Sequence, residues 1–414
     1  MRALRFLALP SLLILAACSS SGTAPPPAAS SLVVSGLASP LTAGASPSVV
    51  VTARNASGTT VSAYTGTVHF TSSDPIALLP ANYTFGSADA GSHTFNVTLW
   101  TAGSQTLTAT DVSTSSITGG QTVTITPHPL YVANRTGNSI TVYAAGVGGN
   151  ATPTSTIAGS NTGLGLGFPA AIALDAAGQL YVANRDSNSI TVYAAGATGN
   201  ATPTATIRGS NTGLHETSGI AVDALGRLYV TDAASYAIMV FAPGATGNAT
   251  PIDTIAGNNT GLLVPIGGAL DAAGRIYVAN RAGTPSITIY AAGATGNVAP
   301  IATIAGSSTG LNLPEGIAVD ATGQVYVANY PNSILVYAAG AKGNTTPTLT
   351  ITGSSTGLND PVGVALDAGG RLYAANASGN SITVYAVGAT GNVFPITTIV
   401  GGHTGLNTPG FIAF

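Results

Sequence analysis

One motif recurs so regularly that it dictates how most of the chain must be built. Tyr-Val-Ala-Asn, or a close variant of it, places a tyrosine at 131, 181, 229, 277, 326 and 373, giving intervals of 50, 48, 48, 49 and 47 residues. Each of the six copies is assembled from short runs rich in Val, Ile, Thr and Tyr, set apart by Gly, Pro, Asn and Asp. Such runs favour strands over helices. In the copy around Tyr326, Gly316–Asp320, Gln324–Asn329, Ser333–Tyr337 and Pro347–Thr352 read as four successive strands, with Asp320-Ala-Thr-Gly323 turning the first into the second.

A period near 48 residues with four short strands per unit is the signature of an array in which one unit makes one blade of a β-propeller. The first copy lacks its opening strand, while the chain ends Pro409-Gly-Phe-Ile-Ala-Phe414, an opening strand with nothing after it. Pairing the two halves would complete a sixth blade and remove an exposed sheet edge. The expected fold is therefore all-β, with six blades closed by the C-terminal strand.

Three stretches of the unit, Pro-x-Gly-Ile-Ala-Val-Asp, Gly-x-hydrophobic-Tyr-Val-Ala-Asn and Asn-Ser-Ile-x-Val-Tyr, are together similar to the NHL repeat family over residues 128–414. Propellers of that kind include scaffolds that bind protein or nucleic acid. They also have enzymatic relatives, the metal-dependent amidating lyases and gluconolactonase-like hydrolases, so the resemblance speaks to fold more than to function.

The N-terminus reads as an export signal. Arg2 and Arg5 precede a short apolar run ending Leu15-Ala16-Ala17-Cys18, which resembles the lipobox of bacterial lipoproteins. The resemblance implies a signal peptide at 1–17, cleavage before Cys18 and lipidation of that residue. Cys18 is the only cysteine, so no disulfide is expected. Ser19 in place of Asp implies the outer membrane as destination if the source is Gram-negative. Residues 18–30, with Pro25-Pro26-Pro27, read as a tether.

Residues 31–127 carry about seven alternating runs, among them Ser31–Ser35, Ser48–Ala53, Gly66–Thr71, His93–Trp100, Gln105–Thr110 and Gln121–Ile125. This pattern suits an Ig-like β-sandwich. The stretches Tyr64–Pro75 and Ala88–Phe95 resemble bacterial Ig-like modules, which implies a spacer or adhesion unit. His69, His93, Asp74 and Asp89 do not form a metal-ligand spacing and read as turn or surface residues.

Only 25 of 414 residues are charged, and losing Arg2 and Arg5 with the signal takes the formal charge from −3 to −5. Nucleic acid is thereby excluded as a partner, since a binder needs cations along the phosphates. The scarcity of charge also makes departures from the repeat conspicuous. Asp175, Asp223, Asp271, Asp320 and Asp367 recur in every complete unit and read as structural turn residues. Asn134, Asn184, Asn280, Asn329 and Asn376, with Asp232 in the third unit, read as braces of the turn after the second strand. Alanines at 173, 221, 269, 318, 365 and 413 read as small residues that let the innermost strands crowd together.

The breaks in symmetry cluster at the loops entering the first strand and following the second, which share one face of a propeller, with Glu315 starting the first strand of the fifth unit. They are His215, Glu216, Glu315 and Asp360, together with Arg135, Arg185 and Arg281. These define a candidate ligand-binding face. No catalytic residue, metal set or cofactor is assigned, and histidines 128, 215 and 403 occupy unrelated repeat positions. The favoured reading is a lipid-anchored cell-envelope protein whose propeller is a non-enzymatic scaffold for a protein, glycan or small ligand. The alternative is a metal-dependent lyase or lactonase-like hydrolase, for which Glu315, Asp360 and Glu216 are the acids to test.

Overall fold

The structure, a computed structural model, describes residues 28–414 apart from 44–46, 76, 100, 127, 145 and 166. The signal peptide, Cys18 and Trp100 lie outside the described residues. Of the tether, Ser30 already belongs to the folded unit, its N–H donating to the Arg54 carbonyl at 2.8 Å.

Residues 31–126 form two sheets. Ser31–Ser35, Ser48–Arg54 and Ser92–Asn96 make one, and Leu41–Thr42, Thr118–Thr126, Gly103–Asp111, Thr67–Ser72 and Tyr83–Thr84 make the other. Their alternating apolar faces enclose a core of residues such as Val49, Val51, Val68, Leu107 and Val123, all at most 1% exposed. The run expected to continue from His93 to Trp100 ends as a strand at Asn96. Beyond it the chain makes one isolated bridge, from Thr98 to Leu78. Tyr64 donates to a carboxylate oxygen of Asp111 at 2.5 Å, and the other oxygen accepts the N–H groups of Ser113 and Thr114.

From Leu130 onward the chain is a β-propeller: among the described residues it forms six four-stranded antiparallel sheets. Five are made of consecutive strands and begin with the innermost strands Pro169–Leu174, Thr217–Val222, Pro265–Leu270, Pro314–Val319 and Pro361–Leu366. We number these the second to sixth sheets. The first consists of Leu130–Asn134, Ser139–Tyr143 and Ser155–Ile157, completed on its inner side by Pro409–Ala413. That strand pairs antiparallel with Leu130–Asn134, Ile412 opposite Val132 and Ala413 opposite Tyr131.

Neighbouring sheets are joined at two radii. At the rim, the outermost strand of each sheet makes a parallel bridge to a glycine in the next sheet, as between Ile157 and Gly199, and the series returns to its start through Ile399 and Gly149. Near the axis the contact is backbone against backbone. A Cβ on Gly219, Gly316 or Gly363 would come within 2.5 Å of the carbonyl oxygen of Ile266, Val362 or Gly410 in the adjoining inner strand. Close approach is therefore made by glycines. The alanines assigned that task instead stand opposite the bulky second-strand tyrosines, Ala173 facing Tyr181 and Ala221 facing Tyr229, where a larger side chain would compete for the same space.

The five sheets made of consecutive strands share one internal tie. Asp175 Oδ1 accepts the N–H groups of Ala177 and Gln179, both at 2.9 Å, closing the turn between its first two strands. Asp223, Asp271, Asp320 and Asp367 do the same in their sheets. Their second oxygens engage Arg227, Arg275 and Arg371 in three sheets, pairs that the sequence reading passed over. The second-strand residues brace the turn that follows in three sheets, where Asp232 accepts from Ser235 and Asn329 and Asn376 donate to the hydroxyls of Ser333 and Ser381, and the asparagines reach beyond that turn as well. Asn134 and Asn376 accept an N–H from the loop entering the innermost strand and donate to the third-strand hydroxyls of Thr141 and Thr383.

Candidate functional site

The site is built where the innermost strands begin. Antiparallel register slips at this point in every sheet, between Pro314 and Ile317 in the fifth and between Pro409 and Ile412 in the first. Such an irregularity redirects a side chain that regular alternation would place elsewhere. It carries six equivalent residues, Gly410, Ala170, Ser218, Ile266, Glu315 and Val362, and all six are buried. Glu315 is the one carboxylate in that ring, at 6% exposure.

Three arginines arrive from the loops after the second strands. Their backbone N–H groups donate to carbonyls just ahead of the innermost strands, Arg135 to Thr408, Arg185 to Phe168 and Arg281 to Val264. The two loop families are thus held side by side on one face. Arg281 Nη1 donates to Glu315 Oε1 at 2.9 Å. Arg185 forms an ion pair with Glu216, both groups about one third exposed. Asp360 accepts from the Ser378 hydroxyl at 3.0 Å.

Arg135 stands apart from these pairs. Its Nε is buried without a hydrogen-bond partner, and its guanidinium lies over the ring of Phe168, 5.5 Å from the centroid. The side chain rests on Gly410, where an added Cβ would come within 2.8 Å of Nε. Burial lowers the Arg135 pKa to about 10. The charges it senses belong to Glu315, Arg185, Asp360 and Arg281, which come from four other sheets. Burial likewise pushes the Glu315 carboxyl above its usual range, while Arg281 and Arg135 pull it back down.

The candidate residues therefore separate into two groups. Arg135, Arg185, Arg281, Glu315 and Asp360 lie within one another's electrostatic reach around the axis. His215 does not join them: its ring is exposed, and its contribution is a backbone N–H donated to Asp232 Oδ2 at 2.8 Å. Glu216 is taken up by Arg185 and, through its own N–H, by Asp232. Among the described residues no group of three or more His, Cys, Asp or Glu side chains is placed to hold a metal ion. Sequence reasoning missed Phe168. Its signal was present, because it is the one aromatic at a position otherwise held by Glu216, Val264, Leu313, Asp360 and Thr408.

Fold and site together describe a β-propeller with a charged axial face. A family model described as lactonase, 7-bladed beta-propeller matches residues 97–213, under a third of the chain, so the likeness is partial. No curated relative matches. Among solved structures, a protein of unknown function from Bacteroides caccae is similar at 11% identity with a TM-score of 0.50, covering 69% of this chain and 97% of its own. A putative 6-phosphogluconolactonase from Bacteroides uniformis follows at 16% identity and a TM-score of 0.43, covering 74% of this chain and 94% of its own. Virginiamycin B lyase from Staphylococcus aureus is similar at 15% identity and a TM-score of 0.38, over 53% of this chain and 67% of its own. The likeness to the first of these bears on fold alone.

Proposed function

We propose that the axial face of the propeller opens small cyclic esters, a lactonase-like activity, in preference to serving only as a display surface. The observation that carries this reading is Glu315, a buried carboxylate with a raised pKa, held against Arg281 in a ring otherwise made of small and apolar residues. A carboxyl so poised suits general acid–base work. In its ionised form Glu315 takes a proton from a water molecule. The resulting hydroxide adds to the ester carbonyl, and an arginine of the cluster stabilises the oxyanion. On collapse the ring C–O bond breaks and the proton passes from Glu315 to the departing alkoxide, leaving a hydroxy acid.

The partial match to the lactonase model supports the same class. In this reading the ring has six blades with NHL-like repeats, residues 31–127 act as an Ig-like spacer, and the protein is exported and held in the cell envelope through lipidated Cys18. A scaffold that binds a protein or glycan without turnover is the second reading. It is favoured by the end of the model match at residue 213, before either Arg281 or Glu315.

The test is hydrolysis of a panel of five- and six-membered lactones by the full chain and by Glu315→Gln. Loss of about a hundredfold or more in kcat, with unfolding midpoint preserved, is expected. Equal rates for the two proteins, or no hydrolysis by the parent, would remove the enzymatic reading. For the anchor, Cys18→Ser is expected to release the protein from membranes, and continued association would refute lipidation.

A further inference from the structure

We infer that Arg135 is the specificity determinant of this site and that it takes a carboxylate carried by the ligand. The inference rests on the axial face being a ligand site, as proposed above, and adds the chemical class of what enters it.

Of the three arginines, two are already committed to carboxylates of the chain, Arg281 to Glu315 and Arg185 to Glu216. Arg135 makes no hydrogen bond through its guanidinium to any described residue. Nor is it a free surface cation: the aliphatic stem is seated on Gly410, Nε is covered, and Phe168 lies beneath the guanidinium plane. The seat depends on the glycine, since the five equivalent positions carry Ala170, Ser218, Ile266, Glu315 and Val362, and any of these would overlap Nε.

An arginine locked in this way has lost most of its rotamer freedom before a ligand arrives, so less is lost when one binds. With Nε covered, only its two terminal nitrogens are left to meet a ligand. That end-on pair matches two oxygens of a planar carboxylate. Arg281 and Arg185 flank it electrostatically, which favours an anion over a neutral ligand, while Glu315 and Asp360 limit the excess of positive charge. This balance favours a singly charged carboxylate over a doubly charged phosphate.

The test compares two ring esters, γ-butyrolactone and 5-oxotetrahydrofuran-2-carboxylate, which differ by one carboxylate. The parent should prefer the charged ester. Arg135→Gln should raise KM for it ten- to a hundredfold more than for the neutral ester, the size of effect expected for loss of a charge-assisted contact. Arg135→Lys should recover only part of the preference, because a point charge does not reproduce the paired donors. Gly410→Ala, which keeps the charge but disturbs its seat, should act in the same direction as Arg135→Gln.

If no ester is hydrolysed, the lactonase reading fails by itself, and calorimetric binding of 5-oxotetrahydrofuran-2-carboxylate to parent and Arg135→Gln still decides the inference. Inorganic phosphate is the competing anion. Tighter binding of phosphate than of the carboxylate, or equal effects of Arg135→Gln on charged and neutral esters, would overturn it. Unfolding midpoints of the three variants distinguish loss of the contact from loss of the fold.

Discussion

Arg281 Nη1 lies 2.9 Å from Glu315 Oε1, linking the fourth sheet to the fifth with the arginine side chain 40% and the glutamate side chain 8% exposed. The asymmetry in burial means that the carboxylate depends on the pair more than the guanidinium does. It also means that the two partners respond differently to truncation.

Arg281→Met is expected to destabilise the fold in a pH-dependent way. Glu315 already has a raised pKa through burial, and without Arg281 it rises further. A group whose pKa is raised on folding contributes stability that is fully present below its unfolded pKa and lost as the pH climbs through the folded value. The variant should match its parent near pH 4 and be weaker by about 1–3 kcal/mol at pH 7, the range for a buried group losing a partner that is itself half exposed. Denaturant unfolding at both pH values measures this. An equal deficit at each would show that packing, not charge, is responsible.

Asp232 and Met239 are expected to be coupled. The carboxylate of Asp232 accepts the N–H groups of His215 and Glu216 and both the N–H and hydroxyl of Ser235. Having no amide to donate, it needs no hydroxyl on the third strand, and Met239 replaces the threonine that bonds Asn134, Asn184, Asn280 and Asn376 in their sheets. Asp232→Asn should cost about 1–3 kcal/mol by leaving a donor without an acceptor, and adding Met239→Thr should recover part of it. Strict additivity of the two changes would argue against the coupling.

Buried tyrosines should set an alkaline limit on the propeller. Tyr193, Tyr290 and Tyr385 each donate to a carbonyl in the loop ahead of their own sheet, Thr162, Thr260 and Thr356, and burial pushes all three up to about 12. Their pKa is raised on folding, so their stabilising share is intact below the unfolded value near 10 and disappears as the pH rises through about 12. Absorbance at ~295 nm followed with circular dichroism should show a set of tyrosines ionising only as the sheets are lost. Ionisation of every tyrosine below pH 11 with the sheets intact would contradict it. The third sheet has Phe241 in the equivalent place and is exempt.

The propeller was legible because its strands are short, alternating and repeated, so each copy corroborates the others. The site was only half legible, for a reason visible at Glu315. In the sequence it stands at the start of the strand read as Gly316–Asp320, with no signal that its side chain would be covered. In the structure the strand begins at Pro314, and the slip in register there buries the side chain. Departure from symmetry singled out Glu315 and the arginines together with His215, which departs equally from the repeat but projects into solvent. The seat of Arg135 was hidden for another reason. It is formed by Gly410, which is nearly three hundred positions away, so only closure of the ring brings the two together.

That closure fixes an order of events. The Asn407 N–H is bonded to Asn134 Oδ1 across a sequence separation of 273 residues, and Pro409–Ala413 is the inner strand of a sheet whose other strands are made first. As the chain leaves the ribosome, five sheets can form while the first waits with an open edge. The arginine seat, which includes Gly410, is completed only with that last strand. A product terminated before Pro409 would therefore lack both a sealed ring and an ordered axial site, so the last strand acts as a checkpoint on assembly.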